Sequence, residues 1–174
     1  TLPAGRAAEA EAPEARHGAA HVRLPAPQES VAQRSGTILY IEDNHVNVLL
    51  VEELVKSVGR LEIVSESNGA DGVARAKALC PDLVLIDLQL PDFDGFEVLR
   101  RLREDPRTRA IPCVALSANA MQEDIERGLA SGFVDYWTKP IDFATFLAAL
   151  NRLFPGLAGD VAESASPVEH ASGE

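Results

Sequence analysis

The stretch Leu83-Val84-Leu85-Ile86-Asp87-Leu88-Gln89-Leu90-Pro91-Asp92-Phe93-Asp94-Gly95 decides how the rest of the chain is read. Four apolar residues run straight into an aspartate. The chain then turns through Pro91, Asp92, Asp94 and Gly95. An unbroken apolar run that Pro and Gly terminate reads as a strand buried on both faces. An aspartate at the carboxyl end of such a strand lies where open parallel α/β sheets place their ligands. Taken alone, Asp87 reads equally well as a turn former. Its meaning depends on what the other segments bring beside it.

Outward from this strand, two periodicities alternate. Thr37 to Ile41 reads as a β-rich strand that ends at Glu42-Asp43. Asn44 is a good helix N-cap, and Val46, Leu49, Leu50, Leu54 and Val58 follow at helical spacing until Gly59 stops the helix. Leu61 to Ser65 is a second strand. Asn68-Gly69 turns into a helix carrying Val73, Ala76 and Leu79 before Pro81. After the central strand, Gly95 to Glu104 places Phe96, Leu99 and Leu102 on one helix face, and Asp105-Pro106 breaks it. Ile111 to Leu116 is a strand ending at Ser117. Met121 to Ser131 is helical. Phe133 to Trp137 is a strand followed by Thr138-Lys139-Pro140. Asp142 caps a last helix with Phe143, Phe146, Leu147, Leu150 and Leu153. Five strands, each followed by a helix, predict an α/β, doubly wound (βα)5 parallel sheet in the flavodoxin-like order 2-1-3-4-5.

Residues 1–35 are rich in Ala, Pro and Glu with few large apolar groups, and read as a flexible linker. Residues 155–174 read as a disordered acidic tail, which leaves 36–154 as the folded domain. Sixteen Lys and Arg against 27 Asp and Glu give a net charge of −11. That balance argues against nucleic-acid binding, which needs basic surface to neutralise phosphates. It suits a divalent cation or a basic partner. No apolar run is long enough to span a membrane, and no signal-peptide pattern opens the chain, so a cytoplasmic location without direct membrane contact is expected. Cys80 and Cys113 are too widely spaced for a metal pair and read as small buried apolar residues. His17, His21, His45 and His170 are scattered, and His45 reads as a first-turn helix residue.

In the expected sheet, the carboxyl ends of strands 1, 3, 4 and 5 share one crevice. They would deliver Glu42 and Asp43, Asp87, Ser117 and Lys139 to it. Several carboxylates in one place repel each other and need a cation, for which Lys139 and a bound metal are the candidates. Carboxylates and carbonyls are the ligands Mg²⁺ prefers. A nucleophilic aspartate, a metal, a lysine and a hydroxyl are the parts of a phosphoryl-transfer site. Dinucleotide, Walker and nucleophile-elbow signatures are absent from the sequence.

At this point the residues match a known family. From about Thr37 to Phe154 the chain resembles the receiver domain of two-component response regulators. The resemblance implies that Glu42-Asp43 is the acidic pair, with Asp43 a direct Mg²⁺ ligand. It makes Asp87 the phospho-acceptor and Gln89 a metal ligand through its backbone carbonyl. Pro91 and Asp94-Gly95 complete the loop. Ser117 would be the switch hydroxyl, Tyr136 the switch aromatic, and Lys139-Pro140 the lysine with its cis proline. Gln89 and Asn119 occupy the two positions that influence dephosphorylation rate in the family. Glu-Asp in place of Asp-Asp, and Trp137 after the switch position, depart from many stand-alone members. Glu42-Asp43-Asn44, Asn47 and the run Leu116 to Met121 are similar to receivers fused to hybrid histidine kinases. Thr1-Leu2-Pro3 looks like the end of a kinase ATP-binding domain.

The implied function is a phosphorelay step: Asp87 takes a phosphoryl group from a histidine kinase or histidine phosphotransfer protein, with Mg²⁺, and later releases it by self-dephosphorylation. A stand-alone single-domain regulator and a phosphorylation-independent interaction module are the alternatives. A phosphatase of the dehalogenase type would want Asp-x-Asp after the first strand, and a flavin protein a Ser/Thr/Gly-rich first loop. Neither is present.

Overall fold

A computed structural model describes residues 35–155. The expectations for 1–35 and for the tail therefore fall, but for residues 35 and 155, outside the described residues, as does the reading of Thr1-Leu2-Pro3. Within them the elements alternate: β1 (Gly36–Ile41), α1 (His45–Val58), β2 (Leu61–Glu66), α2 (Gly69–Leu79), β3 (Leu83–Asp87), α3 (Gly95–Glu104), β4 (Cys113–Ser117), α4 (Gln122–Ala130), β5 (Asp135–Thr138) and α5 (Phe143–Leu153). All strand pairs are parallel, and the order is β2-β1-β3-β4-β5. This is the doubly wound architecture expected from the sequence.

The side-chain period of two splits the core between the faces of the sheet. Ile38, Tyr40, Leu83, Leu85, Val114, Leu116 and Trp137 meet α1 and α5 through Val51, Val55, Phe146 and Leu150. Leu39, Ile41, Val84, Ile86, Cys113 and Ala115 meet α2 and α3 through Val73, Ala76, Val98, Leu99 and Leu102. Local chemistry closes each helix. Asn44, Asp94 and Asp142 accept backbone N–H bonds at the starts of α1, α3 and α5. Gly59, at φ +73°, ends α1 in the left-handed region that a Cβ disfavours.

Two expectations need correction. The buried stripe of α1 is Val48, Val51, Val55 and Val58, while Val46, Leu49 and Leu50 face outward, Val46 being 72% exposed. The run from Val46 to Val55 is apolar on more than one face, so its spacing alone does not choose a side. The narrow valines fit close against the sheet, and the larger leucines are left outside. Cys80 is exposed rather than buried, because it forms the left-handed C-cap of α2. Cys113 is buried, and its thiol is pushed up to about 11 by desolvation.

The two faces of α1 should therefore respond differently to truncation. Val51→Ala removes methyl groups from the core and is expected to cost about 2 kcal/mol in urea unfolding. Leu49→Ala is expected to change stability by no more than about 0.5 kcal/mol.

Candidate functional site

The alternation that builds the core also builds the site. Residues 38 and 40 of β1, and 83 and 85 of β3, face α1 and α5. Continuing each strand by one period brings Glu42 and Asp87 to the same side. Trp137 on β5 does the same for Lys139. The result is a buried ion cluster: Lys139 Nζ donates to Asp87 Oδ2 at 2.8 Å and to Glu42 Oε2 at 3.1 Å. Asp43 sits one residue further on, exposed at the rim. One oxygen from each of Glu42, Asp43 and Asp87 lies within 4.8 Å of the others.

Each buried carboxylate has further donors. Glu42 receives the Tyr40 hydroxyl at 2.8 Å and the Asn44 N–H at 3.1 Å. Asp87 Oδ1 receives the Gln89 N–H at 3.0 Å. The electrostatics then differ between the two acids. Burial alone would raise Glu42, but the Tyr40, Asn47 and Lys139 donors prevail and hold it below its ordinary value. Asp87 goes the other way. Burial and the Glu42 charge outweigh Lys139 and Gln89, and its carboxyl sits above the ordinary 3.8. Desolvation lowers Lys139, but its two acidic partners overcome this and raise it. Both members of the Lys139–Asp87 pair are thus raised. The cause is stoichiometric: one ammonium is divided between two buried acids, and Glu42 has the better supplementary donors.

The β3–α3 loop is drawn tightly over the end of β3. Gly95 N–H donates to Leu88 C=O at 3.2 Å, and a Cβ at Gly95 would lie 2.6 Å from the Asp87 carbonyl oxygen. No larger residue fits there without moving the backbone beside Asp87. The Lys139–Pro140 peptide bond is cis.

Ser117 and Tyr136 lie to one side of the ion cluster. Ser117 belongs to the opposite strand parity, with Cys113 and Ala115. Its Oγ accepts the Asn119 N–H at 3.0 Å, and its C=O accepts the Lys139 N–H at 2.8 Å. The half-buried Tyr136 donates its hydroxyl to the Asn119 C=O at 3.0 Å. Its ring lies against Gly128 of α4, where a Cβ would come within 2.8 Å of it. Trp137 is buried and donates Nε1–H to Asp135 Oδ2 at 2.8 Å.

The sequence reading missed Tyr40. Its signal was available, since a tyrosine in a buried strand needs a partner for its hydroxyl, and the residue two positions on is Glu42. It also treated Asp92 as a turn residue only. Asp92 accepts the Gly69 and Ala70 N–H groups of α2, both at 2.8 Å.

A five-stranded parallel sheet with three carboxylates and one lysine at its carboxyl edge defines an acid-site α/β domain. Residues 38–151 match the response regulator receiver domain family, and the chain belongs to it. It is 35% identical over 114 residues to the polar-differentiation response regulator DivK of Brucella anthropi, covering 66% of this chain and 92% of DivK. It is 33% identical over 119 residues to PilH of Pseudomonas aeruginosa, covering 68% of this chain and 98% of PilH. The response regulator PleD of Caulobacter vibrioides is 37% identical over 119 residues, which are 68% of this chain but only 26% of PleD. Among solved structures, the receiver domain of sensor histidine kinase PA1611 from Pseudomonas aeruginosa superposes with a TM-score of 0.63 at 34% identity. The match covers 68% of this chain and 97% of that domain, which carries a magnesium ion in its active-site cleft.

The raised Asp87 carboxyl has a consequence for stability. Between pH 3.8 and its raised value, the folded state holds a proton that the unfolded chain has released. This group's contribution therefore falls as pH rises through that window. Asp87→Asn, a neutral isostere, is expected to unfold at higher urea by about 1 kcal/mol at neutral pH, with the gain shrinking in acid. Urea melts of both proteins without divalent cation check it.

Proposed function

We propose that this chain is a phospho-accepting receiver in a two-component phosphorelay, with Asp87 as the acceptor. The observation that carries this reading is the environment of Asp87. Its carboxyl is buried at the end of the central β3, paired with Lys139, and flanked by two further acidic oxygens.

The donor set fits a hard divalent cation. Three carboxylates outnumber one ammonium, and oxygen ligands of this kind suit Mg²⁺. Asp43 and Asp87 would hold it with the Gln89 backbone carbonyl. Glu42, whose oxygens already receive Tyr40, Asn44 and Lys139, would contribute charge at closer hand than coordination. When bound, the cation supplies charge neutralisation at the transferring phosphoryl oxygens.

The chain's own residues account for the rest. An Asp87 carboxylate oxygen forms the new O–P bond. The N–P bond of a phosphohistidine breaks, and its electron pair leaves with the imidazole. Lys139 stays beside the aspartate and balances the phosphoryl charge. Ser117 Oγ turns from the Asn119 N–H to the acyl phosphate, and Tyr136, resting on α4, follows. Attack of water on phosphorus releases phosphate and restores Asp87. Gln89 and Asn119, at the two positions that influence this step in the family, would tune its rate.

The donor is a protein, and α1 supports this. Val46, Leu49 and Leu50 form an exposed apolar strip on the helix that begins beside Asp43. A histidine kinase or histidine phosphotransfer protein presenting its phosphohistidine at the cleft would cover it. Attachment to a kinase in a hybrid polypeptide is the favoured context, on Glu42-Asp43-Asn44 and on the likeness to the PA1611 receiver. DivK and PilH, matched over nearly their whole length, favour a stand-alone regulator as the second reading.

Acetyl phosphate with Mg²⁺ should add one phosphoryl group to the wild type by intact mass, and none to Asp87→Asn. Equal labelling of the two would sink the assignment. Leu49→Glu should slow transfer from a phosphorylated histidine phosphotransfer protein by about tenfold or more while leaving acetyl phosphate labelling unchanged.

A further inference from the structure

The β3–α3 loop must present the Gln89 carbonyl beside Asp87, yet few hydrogen bonds hold its middle, where Leu90 packs on the core under α2 and α3. The start is fixed by Leu88 N–H to Leu116 C=O at 3.0 Å and by Gln89 N–H to Asp87. The end is fixed by Gly95 N–H to Leu88 C=O, and Asp94 is committed to capping α3. Pro91 has no N–H to give. Between these points, Asp92 makes the hydrogen bonds that reach another element among the described residues. Its Oδ1 and Oδ2 take the first two N–H groups of α2, from Gly69 and Ala70. These are donors that a helix start leaves without intrahelical partners.

The next residue strengthens the tie by packing. The Phe93 ring lies on Gly69 so closely that a Cβ there would come within 2.5 Å of it. The Arg101 guanidinium lies over the same ring, 4.1 Å from its centroid, and Arg101 is itself held by Glu97 at 2.7 Å. Asn68, the residue that caps α2 locally, takes the Asp71 N–H at 2.9 Å, and its side-chain hydrogen bonds stay within the start of α2. Two side chains thus cap one helix, and only one of them belongs to the acid site's loop.

We propose that Asp92 is a positioning residue for the metal site: its carboxylate latches the β3–α3 loop to the start of α2 and thereby holds the Gln89 carbonyl in place. This rests on the metal reading given above. It adds that metal affinity depends on a residue that touches neither the metal nor Asp87.

Asn68 supplies the control. Asp92→Ala and Asn68→Ala each remove a cap from α2, and both should lower the urea midpoint. Mg²⁺ titration by calorimetry should show about tenfold weaker binding for Asp92→Ala, and a change within about twofold for Asn68→Ala. Amide exchange at Gly69 and Ala70 should accelerate in Asp92→Ala. Should Asp92→Ala fail to fold, Asp92→Asn keeps one good acceptor oxygen and should weaken binding by about threefold. Unchanged Mg²⁺ affinity in the Asp92 variant overturns the latch. Equal weakening in both alanine variants also overturns it, because helix stability would then be the cause. Failure of the wild type to bind Mg²⁺ overturns the metal reading itself, a result distinct from either.

Discussion

One ammonium group serves two buried carboxylates, and much of the arrangement around the sheet edge follows from that shortage. Lys139 reaches both Glu42 and Asp87 at hydrogen-bond distance. A buried acid without adequate compensation costs several kcal/mol. Glu42 meets the cost with neutral donors, Tyr40 and the Asn44 N–H. Among the described residues Asp87 receives only Gln89 N–H besides the lysine, and its raised proton affinity follows from that imbalance. The less satisfied of the two acids is the one proposed above as the phospho-acceptor. A group kept short of partners in the resting protein has most to gain from a cation or a covalent substituent.

Strand parity converts this electrostatic problem into a sequence pattern. Glu42 and Asp87 each lie one full pleat beyond a core residue of the face under α1 and α5, and Lys139 follows Trp137 in the same way. Ser117 follows Ala115 on the opposite face and does not join the cluster. The crevice, its acids and its lysine were therefore legible from the order of elements and a count of two along each strand. That Ser117 Oγ accepts the Asn119 N–H is a loop bond beyond the strand, which the count does not give.

Other features were not legible, for physical reasons. In α1 the run Val46 to Val55 offers a helix more apolar residues than one face can bury. Which stripe goes inward depends on how closely the sheet and α5 approach, a tertiary fact that helical spacing does not contain. Cys80 looked buried by residue type, yet it occupies a left-handed cap at φ 48°, where position in the chain overrides side-chain polarity. Asp92 has the composition of a turn. Its bonds to Gly69 and Ala70 span 22 and 23 residues, and nothing local announces them. Tyr40 is the intermediate case, since its partner lies two residues away and only the need of a buried hydroxyl had to be noticed.

The same structure shows where movement would be least costly. The helices α1, α2, α3 and α5 each bury apolar side chains in the two halves of the core. The only buried residue of α4 is Gly128, and its N-cap residue, Met121, makes no side-chain capping bond. It rests on Tyr136 through that glycine, and Tyr136 is tied to Asn119, whose N–H holds Ser117. A chain of contacts thus runs from the hydroxyl at the end of β4 to the helix with the least core anchorage. Elements with few buried apolar contacts open and shift at the lowest free energy. A rearrangement begun at Asp87 would meet least resistance along this path, whereas the opposite flank is fastened at Asp92 and Phe93 to α2. The carboxyl edge is thus tied to α2 on one side through Asp92 and Phe93, and bordered on the other by α4, which has little core anchorage.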